Sequence, residues 1–368
     1  MPAEIPNTVR AVVASPDLGK PTLEDLPFGT REDVKHLGAD FVAVKNHAVG
    51  LNPSKTPVVI GSDGAGVALT AGSSVKHIKA GNRVAGMVYG ASSTVQGAAS
   101  EGLLYDAANL WVMPPGMSDA EGAAFTLTHL TAVQALYMRL KLAKPSAPDT
   151  SSPKKTVLIW GGSTSVGHHA VQLANLSGYR VLATASASNH ALLRELGAAE
   201  CFDYKDPNVL DRIKKAAGNQ GVYAAFDTAC NNGSTEVCID AIRPRGGIVV
   251  ATLPLAHDLV NRRKDVKVEF LLVYTLMGYA LRFANAIDFE AIPEDRDQSY
   301  KWVTEELPAL LQGWQEGVGS PRYKPANLRV AHGLERVHEG LRTLAEGSYS
   351  NEKFVYTVQE KYILPPIC

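Results

Sequence analysis

From residue 156 onward, short apolar runs alternate with stretches of helical period, and this rhythm constrains the fold more than any other feature. The runs are TVLIW (156–160), YRVLAT (179–184), ECFDY (200–204), VYAAFDT (222–228) and GIVVATL (247–253). Helical patterns fall between them at 165–177, 189–196, 207–217 and 233–242. Strands separated by helices cannot close as hairpins. Each pair needs a crossover, and the pattern predicts a parallel, doubly wound sheet in an α/β protein.

The first strand-to-helix turn reads GGSTSVG, comprising Gly161, Gly162, Ser163, Thr164, Ser165, Val166 and Gly167. Glycines in such a turn let backbone amides approach a pyrophosphate, and the helix that follows offers unpaired N–H groups and the positive end of its dipole. The spacing is not the strict G-x-G-x-x-G. Its place after an apolar strand and before an amphipathic helix gives it weight. A tight turn of purely structural purpose is the alternative.

Which dinucleotide would bind is read at the end of the second strand, about 20 residues on. An NAD site places Asp or Glu there to accept from the ribose 2′-hydroxyl. Here the segment is ATASASNHALL (183–193), with Thr184, Ser186, Ser188 and Asn189 and no carboxylate. A 2′-phosphate meets no repulsion, and hydroxyl and amide groups can donate to it, so the expected coenzyme is NADPH. The competing explanation is that one of these residues caps the helix starting near 189.

The first 135 or so residues differ from this region. Runs such as VAVKNHAVGL (42–51), GAGVALTAG (64–72) and NRVAGMVYG (82–90), with turn residues at short intervals, predict a compact β-barrel-like module. A helical pattern covers 119–141, and the Pro/Ser-rich AKPSAPDTSSPKK (143–155) reads as a surface loop. Beyond 295 come a helix, a short strand, another helix (GLERVHEGLRTLAEG) and a terminal strand, EKFVYTV. With 368 residues, two domains are expected. Charge is balanced, 36 basic against 37 acidic residues, which suggests neither a nucleic-acid nor an anionic-membrane partner. The apolar stretch 270–281 is too short to span a bilayer. The opening residues carry no charged-then-apolar signal pattern. The four cysteines form no C-x-x-C pair, so a reducing, cytoplasmic setting is expected.

The motifs AVGLNPS (48–54), GSDGAGVA (61–68), AGNRVAGMV (80–88), TLTHLTAVQAL (126–136), GGSTSVGHHAVQLA (161–174), LGAAECFDY (196–204) and SNEKFVYTV (350–358) together resemble the medium-chain dehydrogenase/reductase superfamily. The resemblance is to its zinc-independent quinone-reductase and enoyl-reductase branch, and within that to the fungal trans-acting enoyl reductases that serve polyketide synthases. It implies a GroES-like domain from residues 1–140 and 295–368, with a Rossmann domain, 141–294, inserted. It places Tyr204 beside the adenosine phosphate, the TLP segment with Leu253 past the nicotinamide ribose, and Lys353 near the coenzyme. Zinc members use a Cys, a His–Glu pair and a second Cys. Here Ser62–Asp63 replaces the His–Glu pair and no cysteine precedes residue 201, so no metal is expected.

The activity implied is NADPH-dependent reduction of an α,β-unsaturated carbonyl, on a small molecule or on an acyl chain borne by a carrier protein of a polyketide synthase. A general quinone or alkenal reductase, and an inactive nucleotide-binding relative, are the alternatives; monomer and homodimer both stay open. Lys55, after NPS, is the candidate for binding or stabilising the carbonyl, against a solvated surface lysine. Thr131 is the candidate for approaching nicotinamide or substrate, against a helix-start hydroxyl bonded to backbone. Tyr274 either lines an acyl channel or belongs to the core, and His168 and His169 are packing or surface residues. Eight residues separate Asn52 from Gly61. Relatives carry more there, and a wider substrate mouth is the expectation.

Overall fold

A computed structural model describes residues 6–13, 21–28, 38–51, 59–90, 97–283, 286–347 and 350–358. The chain divides into two compact units, one of Met1–Leu127, Tyr274–Pro321 and Pro325–Cys368, the other of Thr128–Val273 with Arg322–Lys324. These division points differ from boundaries near 140 and 295. The first falls inside the helix Asp119–Val133, and the second at the short turn Val273–Met277.

The second unit holds the expected doubly wound sheet. Among the described residues its six strands are all parallel and lie in the order Ala198–Phe202, Arg180–Thr184, Thr156–Trp160, Val222–Asp227, Gly247–Ala251, Val266–Phe270. Chain order therefore runs outward from Thr156–Trp160 in one direction and then in the other. The reversal leaves a crevice at the carboxyl ends of Thr156–Trp160 and Val222–Asp227, the place where ligands bind in sheets of this kind. The central strands, TVLIW and VYAAFD, are buried almost throughout and mostly apolar, as parallel strands in that position require. Ile213, Ala217, Cys238 and Ile239 of the helices Val209–Ala217 and Ser234–Ala241 cover Leu158, Leu182 and Val249. The helix Ser165–Leu176 packs on Thr156–Trp160 and Arg180–Thr184.

Two details depart from the sequence reading. A sixth strand, VKVEF at Val266–Phe270, forms the far edge, with Val266 and Val268 buried and Lys267 exposed. The third strand ends at Phe202, so Tyr204 stands beyond it.

The first unit carries a second, largely antiparallel sheet in the order Leu328–His332, Lys353–Thr357, Phe41–Gly50, Asp63–Ala71, Arg83–Met87, Leu110–Val112, with Gly102–Asp106 also paired to Phe41–Gly50. Two sheets of these kinds in one chain bear out the α/β fold class. The helix Asp119–Val133 opens with a capping box: Glu121 Oε2 accepts from the Ser118 N–H at 2.9 Å, and Ser118 Oγ accepts from the Glu121 N–H at 3.3 Å. It continues as a stretch of π-helix, Gln134–Arg139. Among the described residues no helix is long and apolar enough to cross a membrane.

Candidate functional site

The turn Gly161–Gly167 closes the strand Thr156–Trp160 and opens the helix Ser165–Leu176. Gly161 has φ +78°, a conformation open to glycine. A Cβ on Gly167 would sit 2.8 Å from Gly162 Cα and closer still to the Gly161 carbonyl oxygen. The turn is fixed by three threonines. Thr184 Oγ1 accepts from the Gly161 N–H at 3.0 Å, and its carbonyl accepts from Gly162 at 2.8 Å. Thr164 caps the helix through the Gly167 N–H at 2.9 Å. Thr228, just past Val222–Asp227, has its Oγ1 2.9 Å from the carbonyl oxygens of both Trp160 and Gly161 and 2.8 Å from Thr164 Oγ1. With Gly161, Gly162, Thr164 and Gly167 so engaged, the N–H groups of Ser163, Ser165 and Val166 have no protein acceptor among the described residues. Three unspent donors at a helix N-terminus fit the pyrophosphate of a dinucleotide.

Beyond the second strand, Ser186, Ser188 and Asn189 come together: Ser186 Oγ lies 3.2 Å from Ser188 Oγ and accepts from Asn189 Nδ2 at 3.0 Å. Neither Ser186 nor Asn189 caps a helix with its side chain, which removes the capping explanation for those two. Thr184 stands apart from this ledge. It is fully buried, and its hydroxyl accepts from the turn. Tyr204 is exposed, with the Lys205 ammonium over its ring, and Leu253 is about half exposed just after Gly247–Ala251.

Two residues of the crevice were not singled out by sequence reasoning. Asp227 is fully buried, and its carboxylate accepts from the N–H groups of Ala229 and Cys230 and from the hydroxyls of Ser234 and Thr235, all within 3.0 Å. That bonding holds the segment after the fourth strand and with it Thr228. The signal was the acid that ends an otherwise apolar strand, VYAAFD. Beside it, burial pushes the Cys230 thiol above its ordinary range.

Lys353 belongs to the other unit. Its ammonium is buried, 3.1 Å from Asp63 Oδ2, and Asp63 Oδ1 accepts from the Leu127 N–H at 2.6 Å. The neighbouring Ser62 Oγ is 2.8 Å from Tyr274 Oη, whose ring packs on Tyr89 with centroids 4.4 Å apart. Burial raises the Tyr274 phenol well above its ordinary pKa. Thr131 is buried in the last turn of the helix Asp119–Val133, far from that helix's start. Lys55 and the segment 52–58, on which the wider mouth depends, lie outside the described residues.

His168 and His169 are buried packing residues. Tyr323 Oη lies 2.9 Å from His169 Nδ1 and 3.1 Å from His129 Nδ1, and the carbonyl of Lys324 is 3.2 Å from His168 Nε2. Burial lowers the pKa of His129 from the ordinary 6.5 to about 3. Above pH 6.5 this has no effect on stability. Below it the unfolded chain binds a proton that the native chain refuses, so stability falls by about 1.4 kcal/mol per pH unit toward pH 3. Urea unfolding of wild type and His129→Gln at pH 7 and pH 5 should show the difference between them changing by about 2 kcal/mol in the variant's favour. An unchanged difference would contradict a neutral, buried His129.

Among the described residues no three His, Cys, Asp or Glu side chains gather to hold a metal ion. At Ser62–Asp63 the carboxylate is committed to Lys353. Residues 165–291 nevertheless match the family model described as zinc-binding dehydrogenase, which begins at the helix of the glycine turn. Over nearly its whole length the chain is similar to trans-enoyl reductases. It is 31% identical to mpsG of Macrophomina phaseolina over 90% of this chain and 96% of the relative. To caaB of Aspergillus niger it is 33% identical, over 88% and 92%. In fold it is similar to an alcohol dehydrogenase superfamily protein from Novosphingobium aromaticivorans, with TM-score 0.73 and 22% identity over 96% of this chain and all of that one. It is likewise similar to the JamJ enoyl reductase, with TM-score 0.71 and 18% identity over the same shares. A nicotinamide dinucleotide is the coenzyme class that goes with this fold and turn. The chain belongs to the trans-enoyl reductases, oxidoreductases of the medium-chain dehydrogenase/reductase superfamily.

Proposed function

We propose that the protein is an NADPH-dependent enoyl reductase acting in trans on an enoyl thioester held by a polyketide synthase carrier. On this reading residues 141–294 form the coenzyme domain, and residues 1–140 and 295–368 supply the substrate side. The observation that carries it is the pairing of three unspent backbone donors with an acid-free hydroxyl ledge. Ser163, Ser165 and Val166 hold the pyrophosphate through backbone N–H groups. Ser186, Ser188 and Asn189 donate to the 2′-phosphate, and Tyr204 flanks it. Leu253 borders the nicotinamide ribose. When bound, the dihydronicotinamide would supply a hydride to the β-carbon of the conjugated acyl group and be left as the oxidised nicotinamide, and the resulting enolate would take a proton at its α-carbon from water. Lys55 and Thr131 orient the thioester carbonyl and stabilise the charge that develops on its oxygen. The conjugated carbonyl spreads that charge over its own π-system, and Ser62 and Asp63, which replace the His–Glu pair of the zinc members, are engaged instead with Tyr274 and Lys353.

The test is coenzyme oxidation with crotonyl-type thioesters, free and on a carrier protein, against free enones and quinones. Carrier-bound thioesters should be reduced best. Preference for free quinones would move the assignment to a quinone reductase, and binding without oxidation would indicate an inactive relative. Coenzyme choice is tested separately by Ser186→Asp. A carboxylate placed beside a doubly charged phosphate should weaken NADPH at least ~10-fold and leave NADH equal or better. Equal loss of both coenzymes would mean that this ledge does not touch the 2′-phosphate.

A further inference from the structure

Thr228 was not among the residues assigned to the coenzyme, yet its hydroxyl meets the glycine turn at two residues, Gly161 and Thr164. We propose that Thr228 is a positioning residue for coenzyme binding: its hydroxyl, in relay with Thr164, holds the turn in the one conformation that leaves the Ser163, Ser165 and Val166 N–H groups free. This rests on the dinucleotide reading of the turn.

The hydrogen count defines the relay. Thr164 Oγ1 accepts from the Gly167 N–H, so its own proton is available for Thr228 Oγ1, 2.8 Å away. Thr228 then donates its proton to the carbonyls of Trp160 and Gly161, both at 2.9 Å. Its backbone N–H also binds the Trp160 carbonyl, at 3.0 Å. The relay thus runs from the helix N-terminus, through two hydroxyls, to the last peptide of the first strand and the peptide of Gly161. Thr228 is itself immobile, because the adjacent Asp227 carboxylate accepts four hydrogen bonds from the residues that follow. Without the Thr228 hydroxyl, Thr164 loses its acceptor and can turn toward a helix carbonyl, releasing Gly167. The Gly161 carbonyl loses one of its two donors in the same step and keeps only the Thr164 N–H, at 2.9 Å. The donors aimed at the pyrophosphate then lose their common alignment.

The pyrophosphate is common to both coenzymes, so the effect must be blind to the 2′-phosphate. Thr228→Val and Thr228→Ser should be compared with wild type for KM, kcat and direct binding of NADPH and NADH. Thr228→Val should raise KM for both by the same factor, about tenfold, with kcat falling less than KM rises. Thr228→Ser, which restores the hydroxyl, should return KM to within about threefold of wild type. Should Thr228→Val fail to fold, Thr164→Val interrupts the relay from its other end and carries the same expectation of an equal loss for both coenzymes. A folded Thr228→Val with wild-type KM overturns the proposal, as does a Thr228→Ser as weak as the valine variant. Wild-type protein that binds neither coenzyme overturns the dinucleotide reading and the proposal together. Wild-type binding with unshifted variants overturns the proposal alone.

Discussion

Gly167→Ala should reduce dinucleotide affinity by at least ~100-fold, a loss of about 2.7 kcal/mol. The new Cβ would lie 2.8 Å from Gly162 Cα and inside contact distance of the Gly161 carbonyl oxygen. Both neighbours are backbone, so no rotamer change relieves the clash. The helix Ser165–Leu176 must move away from the turn, and the three free N–H groups move with it. Gly221→Ala separates this from simple destabilisation. Gly221 has φ +64°, and its added Cβ would come 2.6 Å from Arg243 Cβ, a comparable steric insult at the opposite end of the strand Val222–Asp227. That variant should lose stability yet keep coenzyme affinity within about twofold. Titration calorimetry with NADPH, paired with urea unfolding, reads both quantities. Equal affinity losses in the two variants would show that the turn senses only global stability.

The parallel-sheet part of the chain was legible because its signals are local. An apolar strand, a glycine turn and an amphipathic helix are contiguous in sequence, and residues 161–167 stand where the periodicity puts them. The missed edge strand Val266–Phe270 is also local, but its alternating Lys267 and Glu269 break the apolar run that marks the central strands. Thr184 shows a different limit. A hydroxyl at the end of the second strand suits either a ribose phosphate or a backbone N–H, and only its burial against Gly161 separates the two. Thr228 was legible as a strand end but not as a hub, because Trp160, Gly161 and Thr164 lie 64 to 68 residues away. The partners of the Asp227 carboxylate, by contrast, all follow within eight residues, and its signal was the local one of an acid closing an apolar strand. The Asp63–Lys353 pair spans 290 residues, and nothing near either position announces the other.

That pair sets the second large effect. Lys353–Thr357 and Asp63–Ala71 flank the strand Phe41–Gly50 on opposite sides, with Gly50 opposite both Asp63 and Val355. Gly50 adds no side chain between them, and the ammonium reaches the carboxylate across the middle strand. Both side chains are almost wholly removed from water, 4% and 0% exposed. Lys353→Met should therefore cost about 3–5 kcal/mol in urea unfolding, since it leaves a carboxylate buried without its cation. Asp63→Asn alone should cost a similar amount by removing the carboxylate that faces the buried ammonium. In the double variant Asp63→Asn/Lys353→Met neither charge remains, and the asparagine oxygen can still accept from the Leu127 N–H. Most of the stability should return, because desolvating two ions nearly cancels their attraction. The same double variant asks whether the pair contributes to turnover. If stability recovers and reduction of the thioester does not, the ammonium acts on the chemistry; if both recover, its place in the fold is architectural.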